Sequence, residues 1–326
     1  MPNWTMVQAI NNALSLELAR DRRVLICGED VGKNGGVFRV TEGLQEQFGE
    51  DRVFDTPLAE SGILGTAIGM AVYGLRPIAE LQFAGFGFVS FNQIASQATK
   101  MRYRSNGVYT VPLVIRAPFG GGVRTPELHS DSVEAFYMHM QGIKVVIPSN
   151  PYDAKGLLHA AIDDPDPVFV LEHMKLYRST RQEVPEERYT VPIGQAATVR
   201  SGTDLTIIAY GAMIPVAMTA ADQIEAELGA SIEIIDLRTI SPMDEAAIVK
   251  SVSKTGRAVI VHEAARTGGV GAEIIAVINE NCLYSLLKPV VRVTCPDTPF
   301  PMPGIEDTII PTPARVVEAF RKTLED

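Results

Sequence analysis

The sequence predicts an α/β protein of two open, mainly parallel sheets covered by helices, and three observations lead there. Short, continuously apolar segments such as RRVLICGEDV (22–31), KVVIP (144–148) and LTIIAYG (205–211) read as strands buried on both faces. Stretches of helical period separate them, as crossover helices separate parallel strands. The alternation runs twice, with a charged, proline-containing stretch at 175–203 between the two series. A chain of 326 residues has room for two domains, set here at 1–190 and 191–326.

The elements follow in order. MPNWTMVQAINNALSLELARD reads as an amphipathic helix capped by Thr5, with Val7, Ile10, Leu14 and Leu18 on its apolar face. The strand in 22–31 stops at a Gly-Glu-Asp loop; 40–48 is a short helix and RVFDTPL (52–58) a second strand. Pro57 suits the first turn of the next helix, with Thr56 as its cap. Gly62, Gly65 and Gly69 fall on one side of that helix. Each glycine costs a helix about 1 kcal/mol against alanine. The row therefore implies close backbone contact, either inside this subunit or across an interface. Strand 76–83, helix 88–105, strand 112–118 with its loop FGGGVRTPELHS, helix 131–141, strand 144–148, helix 151–163 and strand 167–172 complete the first series. Residues 175–203 lack apolar period and read as a linker. Strands at 205–211, 231–238, 258–263 and 290–295 then alternate with helices at 215–228, 244–252, 269–281 and 312–325. PDTPFPMPG (296–304) reads as a surface segment.

Composition excludes several function classes. The net charge of −10 argues against general nucleic-acid binding, which needs a basic surface to displace counterions. Cys27, Cys282 and Cys295 are far apart and form no CxxC pair, which fits a reducing compartment. No apolar run reaches the roughly 18–20 residues of a membrane span, and the amino terminus has no signal-peptide pattern. A cytoplasmic protein is expected. There is no P-loop and no HExxH. GGVGAEI (268–274) departs from the dinucleotide fingerprint at its last position and follows the wrong strand for it.

What remains is a set of polar residues at strand ends, where open α/β sheets bind ligands. Glu29 follows the first strand, Glu60 the second, Gln82 ends the third, and His129 lies in the loop after 112–118. Phe83, Phe86, Phe88 and Phe91 crowd the third of these loops. Each residue has a plainer reading. Glu60 in a first helical turn complements the helix dipole, His129 beside Ser130 and Asp131 is a cap neighbour, the phenylalanines are core, and Gly120–Gly122 a turn.

Longer stretches decide between these readings. DTPLAESGILGTAIGMAVYGLRPIAELQF, PFGGGVRTPELHSDSVEAFYMHMQGIKVVIPSNPYDAKGLL and DPVFVLEHMKLYR, with AYGAM, DLRTISPMD and CPDTPFP further on, carry a resemblance over essentially the whole chain. It resembles the beta subunits of the thiamine-diphosphate-dependent decarboxylase component of 2-oxo acid dehydrogenase complexes, nearest to bacterial pyruvate dehydrogenase. The resemblance implies a pyrimidine-binding domain and a transketolase-like C-terminal domain for assembly. It makes Glu60 the carboxyl that shares a proton with the aminopyrimidine ring nitrogen. Glu29, Leu58, Glu60, Gln82 and Phe86 become cofactor contacts, and His129 the group that assists reductive acyl transfer to lipoamide. Backbone carbonyls at Leu113, Ala161, Ile162, Asp164 and Asp166 fall at the family's potassium site.

The chain has no GDG motif, which in thiamine enzymes anchors diphosphate and magnesium. A separate alpha subunit is therefore expected to hold them, in a heterotetramer of two alpha and two beta chains serving a lipoyl acyltransferase core and a 2-oxo acid substrate. A branched-chain 2-oxo acid or acetoin dehydrogenase beta subunit and a non-catalytic assembly subunit of the same fold remain as alternatives. The missing motif speaks against a self-contained transketolase.

Overall fold

The computed structural model describes residues 1–324. Strands are numbered along the chain: β1 (Asn3–Thr5), β2 (Val24–Gly28), β3 (Val53–Asp55), β4 (Arg76–Glu80), β5 (Val114–Phe119), β6 (Lys144–Val146) and β7 (Val168–His173). There follow β8 (Arg181–Glu183), β9 (Ala197–Arg200), β10 (Leu205–Ala209), β11 (Ile232–Asp236), β12 (Thr239–Ser241), β13 (Ala258–Ala265) and β14 (Val291–Cys295). The first sheet has seven strands in the order β12-β6-β7-β5-β4-β2-β3, parallel except for β12. The second has five, β14-β13-β10-β11-β9, parallel except for β9. β2, β4, β5 and β7 have almost no exposed residue, as expected of strands covered on both faces. No helix among the described residues is long and apolar enough to cross a membrane.

The first helix, Met6–Arg20, forms as its sequence predicts. Thr5 and Gln8 make a reciprocal capping box, and Val7, Ile10, Leu14 and Leu18 are buried. The helix Pro151–Asp163 is framed by Asn150, whose side chain accepts from the Asp153 N–H, and by Pro151 in its first turn. All three cysteines are unpaired and buried.

Several expectations need correction. Thr56 is not a cap: its N–H donates to the Gly28 carbonyl at 2.9 Å, so it still belongs to the sheet. The helix begins at Glu60, after Ala59, with no side-chain cap. The helix expected over 88–105 is instead a run of short turns. Its first turns span Ala84–Ser90, where a Cβ on Gly87 would lie 2.5 Å from the Tyr137 hydroxyl. A wide turn at Gln93–Gln97 and a short helix at Met101–Arg104 complete it. The helix expected at 131–141 shrinks to Glu134–Met138.

Residues 175–203 are not a free linker. Leu176, Tyr177, Val184 and Val191 are buried, β8 pairs with β1, and β9 forms the edge of the second sheet. These apolar residues are isolated in sequence, so they show no period, yet each enters the core. β12 is a further departure: the chain leaves the second sheet at Asp236 and adds an antiparallel edge to the first.

The glycine row resolves one open choice. Gly62, Gly65 and Gly69 are exposed, while Ile63, Leu64, Ala67, Ile68 and Ala71 form the buried side of the same helix. Close packing inside the subunit is therefore not what the glycines serve.

Beneath the site, Arg116 on β5 is 1% exposed and holds Glu172 of β7 through two bonds of 2.7 Å and Glu80 of β4 at 2.6 Å. Tyr177 donates to Glu172 at 2.7 Å. Burial pushes the Arg116 pKa down, but the facing Glu172 and Glu80 carboxylates reverse the sign and hold the guanidinium charged. Arg116→Met leaves two buried carboxylates without their cation and is expected to cost about 3–5 kcal/mol. Urea unfolding of the full-length chain checks this; a loss below about 1 kcal/mol, the worth of an exposed pair, contradicts it.

Candidate active site

Because β5, β4, β2 and β3 are parallel neighbours, their carboxyl ends leave the sheet along one edge. The strand order turns back at β2, since β3 lies on one side of it and β4 on the other. In open α/β sheets that reversal opens a crevice for ligands. Glu29 leaves β2 at the crevice, Glu60 follows β3, Gln82 and Phe86 follow β4, and the loop after β5 brings His129.

Their contacts join these loops into one site. Gln82 donates to the Asp30 carboxylate at 3.3 Å, linking the loops after β4 and β2. The His129 ring lies 4.3 Å from Phe83 and 5.0 Å from Phe86, centre to centre, the latter edge-on. Its Nδ1 donates to the Glu127 carbonyl at 2.7 Å, which leaves Nε2 as the nitrogen facing away from that bond. Glu60 opens its helix at the positive end of the dipole and is 6% exposed.

Glu29 is equally buried, and its Oε1 has no partner, as is also true of the Thr56 hydroxyl. Burial, with the Glu60 and Asp30 carboxylates adding to it, pushes the Glu29 carboxyl upward. The crevice thus holds two buried carboxyl groups, one with an unpartnered oxygen, and an aromatic wall. Leu58, by contrast, is 79% exposed on the outer rim.

The remaining sequence-predicted positions lie elsewhere. Leu113 is at the amino end of β5, Ala161 and Ile162 in the last turn of Pro151–Asp163, and Asp164 and Asp166 in the turn beyond. They share one corner: the Leu113 carbonyl accepts from the Val168 N–H at 3.0 Å and the Ala161 carbonyl from the Asp164 N–H at 3.3 Å. Arg76 donates to the Ile162 carbonyl, Lys144 pairs with Asp164 and Arg102 with Asp166. Among the described residues no three His, Cys, Asp or Glu side chains gather as metal ligands.

Sequence reasoning missed the buried charges that support the site, Arg116, Glu172, His173 and Glu263. A signal was present: VIRAPF, VFVLEH and VIVHEA each set ionisable residues inside an apolar strand, where they persist only when paired.

Comparison with known proteins gives the family. Residues 3–180 match the family "Transketolase, pyrimidine binding domain" and residues 194–316 "Transketolase, C-terminal domain". The chain is 56% identical over 325 residues to the pyruvate dehydrogenase E1 component subunit beta of Bacillus subtilis (strain 168), covering 100% of both chains. The same figures hold for the subunit of that name from Staphylococcus aureus (strain Mu50 / ATCC 700699). Among solved structures, a split-gene transketolase described as an inactive beta4 tetramer superposes with a TM-score of 0.79 at 24% identity, covering 99% of each chain, which speaks for the fold. The chain belongs to the transketolase pyrimidine-binding family and, within it, to the pyruvate dehydrogenase E1 beta subunits.

The raised Glu29 carboxyl carries a pH signature. A folded-state pKa above the unfolded one costs nothing while both forms are protonated. It costs stability increasingly as pH rises past the ordinary glutamate value of about 4.3 and through the raised one. Glu29→Gln is therefore expected to raise the melting temperature of the full-length chain at neutral pH, with the gain fading below about pH 4. Thermal melts across pH test it, and a gain of equal size at every pH contradicts it.

Proposed function

We propose that this chain is the beta subunit of a pyruvate dehydrogenase (acetyl-transferring), and that it supplies the pyrimidine side of a thiamine diphosphate site. The observation that carries the reading is the convergence of Glu29, Glu60, Gln82, Phe86 and His129 along one sheet edge, in a chain aligned end to end with relatives of that name. Bound thiamine diphosphate supplies a thiazolium that stabilises the carbanion left when a 2-oxo acid loses carbon dioxide. The protein's part is to hold protons and exclude water.

In this reading Glu60, buried at the start of its helix, shares a proton with the pyrimidine ring nitrogen. Phe86 gives the heterocycle a flat wall, Gln82 a polar contact, and Leu58 covers it from the rim. His129, against Phe83 and Phe86, acts as its imidazolium and gives the Nε2 proton to the departing sulfur of lipoamide during acyl transfer. Diphosphate and magnesium fall to a partner alpha chain, since no GDG motif is present. The exposed glycines of Glu60–Val72 and the exposed Leu58 suit an interface with that chain or with a second beta chain. We assign a potassium ion to the carbonyls at Leu113, Ala161, Ile162, Asp164 and Asp166, the domain boundary to 190/191, assembly on a lipoyl acyltransferase core to the second domain, and the protein to the cytoplasm.

Co-expression with an alpha chain, followed by decarboxylation assays with pyruvate and branched 2-oxo acids, tests the reading; preference for a branched acid would move it to that relative. Glu60→Gln is expected to slow proton exchange at the thiazolium carbon by on the order of 10²–10⁴-fold while cofactor binding persists, and unchanged exchange rejects the assignment. His129→Ala is expected to lose lipoamide acylation far more than decarboxylation measured with an artificial electron acceptor. Equal losses reject that division of labour.

A further inference from the structure

The loop that delivers His129 is fastened by the other domain. Gly121 donates its N–H to Glu263 Oε1, and Glu263 Oε2 lies 2.9 Å from His173 Nε2. Arg124 donates its backbone N–H to Glu306 Oε1 at 3.0 Å and its guanidinium to Asp307 at 2.6 Å. Glu263 and Glu306 belong to the second sheet and the segment after it, and they are 5% and 1% exposed. The glycines make the approach possible. A Cβ on Gly120, which has φ +83°, would sit 2.3 Å from His173 Nε2, and one on Gly121 2.3 Å from the Phe300 ring. Burial pushes the Glu263 carboxyl upward, but His173, the Gly121 N–H and Lys175 outweigh it and keep an anion for the loop to bond. Beyond this fastening the Thr125 and Ser130 hydroxyls close the loop on itself, with His129 just inside the closure.

We propose that Glu306, together with the Glu263–His173 pair, is a positioning element: the second domain fixes the backbone of residues 120–125 and thereby places the His129 imidazole. Glu263 and Glu306 bond the loop's backbone and His173 bonds Glu263, so each acts through the loop. The role in turnover rests on the assignment of His129 to acyl transfer given above; the fastening itself does not.

The test uses the assembled enzyme with its lipoyl acceptor. Glu306→Ala removes the acceptor for the Arg124 N–H and is expected to lower lipoamide acylation roughly 10- to 100-fold, the scale of a small misplacement of a reacting group. Decarboxylation with an artificial acceptor is expected to fall several-fold less. Glu306→Gln keeps an acceptor oxygen and is expected to recover most of the acylation rate. Combined with His129→Ala, Glu306→Ala is expected to add no further loss, because both changes remove one function. Hydrogen exchange over residues 120–130 reads the fastening directly, rising in Glu306→Ala and returning in Glu306→Gln. Unchanged exchange overturns the proposal, as do equal losses in both assays where His129→Ala alone splits them. A raised exchange with no split for His129→Ala supports the fastening and rejects the acyl-transfer role instead. Glu263→Gln, which keeps the side-chain shape but weakens its bonds to Gly121 and His173, serves in the same assays should Glu306→Ala not assemble.

Discussion

Arg116 joins three adjacent strands of the first sheet through two carboxylates, and the loops that build the site begin a few residues past that junction. β4 leads from Glu80 to Gln82 and Phe86, and β5 leads from Arg116 to the glycines and His129. β7 leads from Glu172 to His173, which meets Glu263. A buried ion pair is weak evidence of net stability, because desolvation offsets most of the attraction. Its clearer consequence here is registry. Apolar strands slide with little penalty, whereas a guanidinium with two fixed carboxylate partners admits one alignment of β4, β5 and β7.

The same logic extends across the seam between the sheets. Glu263 turns β13 into a partner for β7 and for the Gly121 backbone, and Tyr210 donates to the buried Glu134 on the first sheet's side. Burial pushes the Glu134 carboxyl up to about 6, with the Tyr210 hydroxyl among the groups drawing it back. Domains held only by apolar contact can shift relative to one another, since such contact is non-directional. Hydrogen-bonded carboxylates set at the seam specify distance and angle, and the loop after β5 is bonded to two of them.

Much of the fold was legible because its signals are local. Pro151 and Asn150 mark the start of their helix, and Thr5 with Gln8 marks another. The apolar runs of β2, β5 and β10 announce strands covered on both faces. The site was legible in part: a parallel sheet brings the ends of adjacent strands to one edge, which grouped Glu29, Glu60, Gln82 and His129. Their chemistry came from the longer resemblance. What stayed hidden depends on distant partners. Arg116 meets Glu172 across 56 positions and Gly121 meets Glu263 across 142, and no periodicity encodes such pairs. Thr56 misled for a related reason, since a cap residue and a last ladder residue look alike until the N–H partner is known.

The outer face of the site follows the opposite rule from its floor. Below, Arg116, Glu80, Glu172, His173 and Glu263 are paired; at the rim, Leu58 is 79% and Val89 65% exposed, and the bare backbone of Gly62 and Gly65 faces outward beside them. Ser61 donates to the Val89 carbonyl at 2.6 Å, so these residues form one surface rather than scattered exceptions. Isolated exposed apolar residues are ordinary, but a contiguous group next to a half-built crevice is not. A stripe of glycine lets another chain's backbone come close, as no larger residue would. An unpartnered Glu29 oxygen a short way inside needs a hydrogen-bond donor that this chain does not provide. The missing diphosphate motif, the uncovered rim and the orphaned carboxyl oxygen are thus three views of one condition. All three fit the proposal that this chain carries half of a site, and a floor of paired charges gives the other half a fixed surface to dock against.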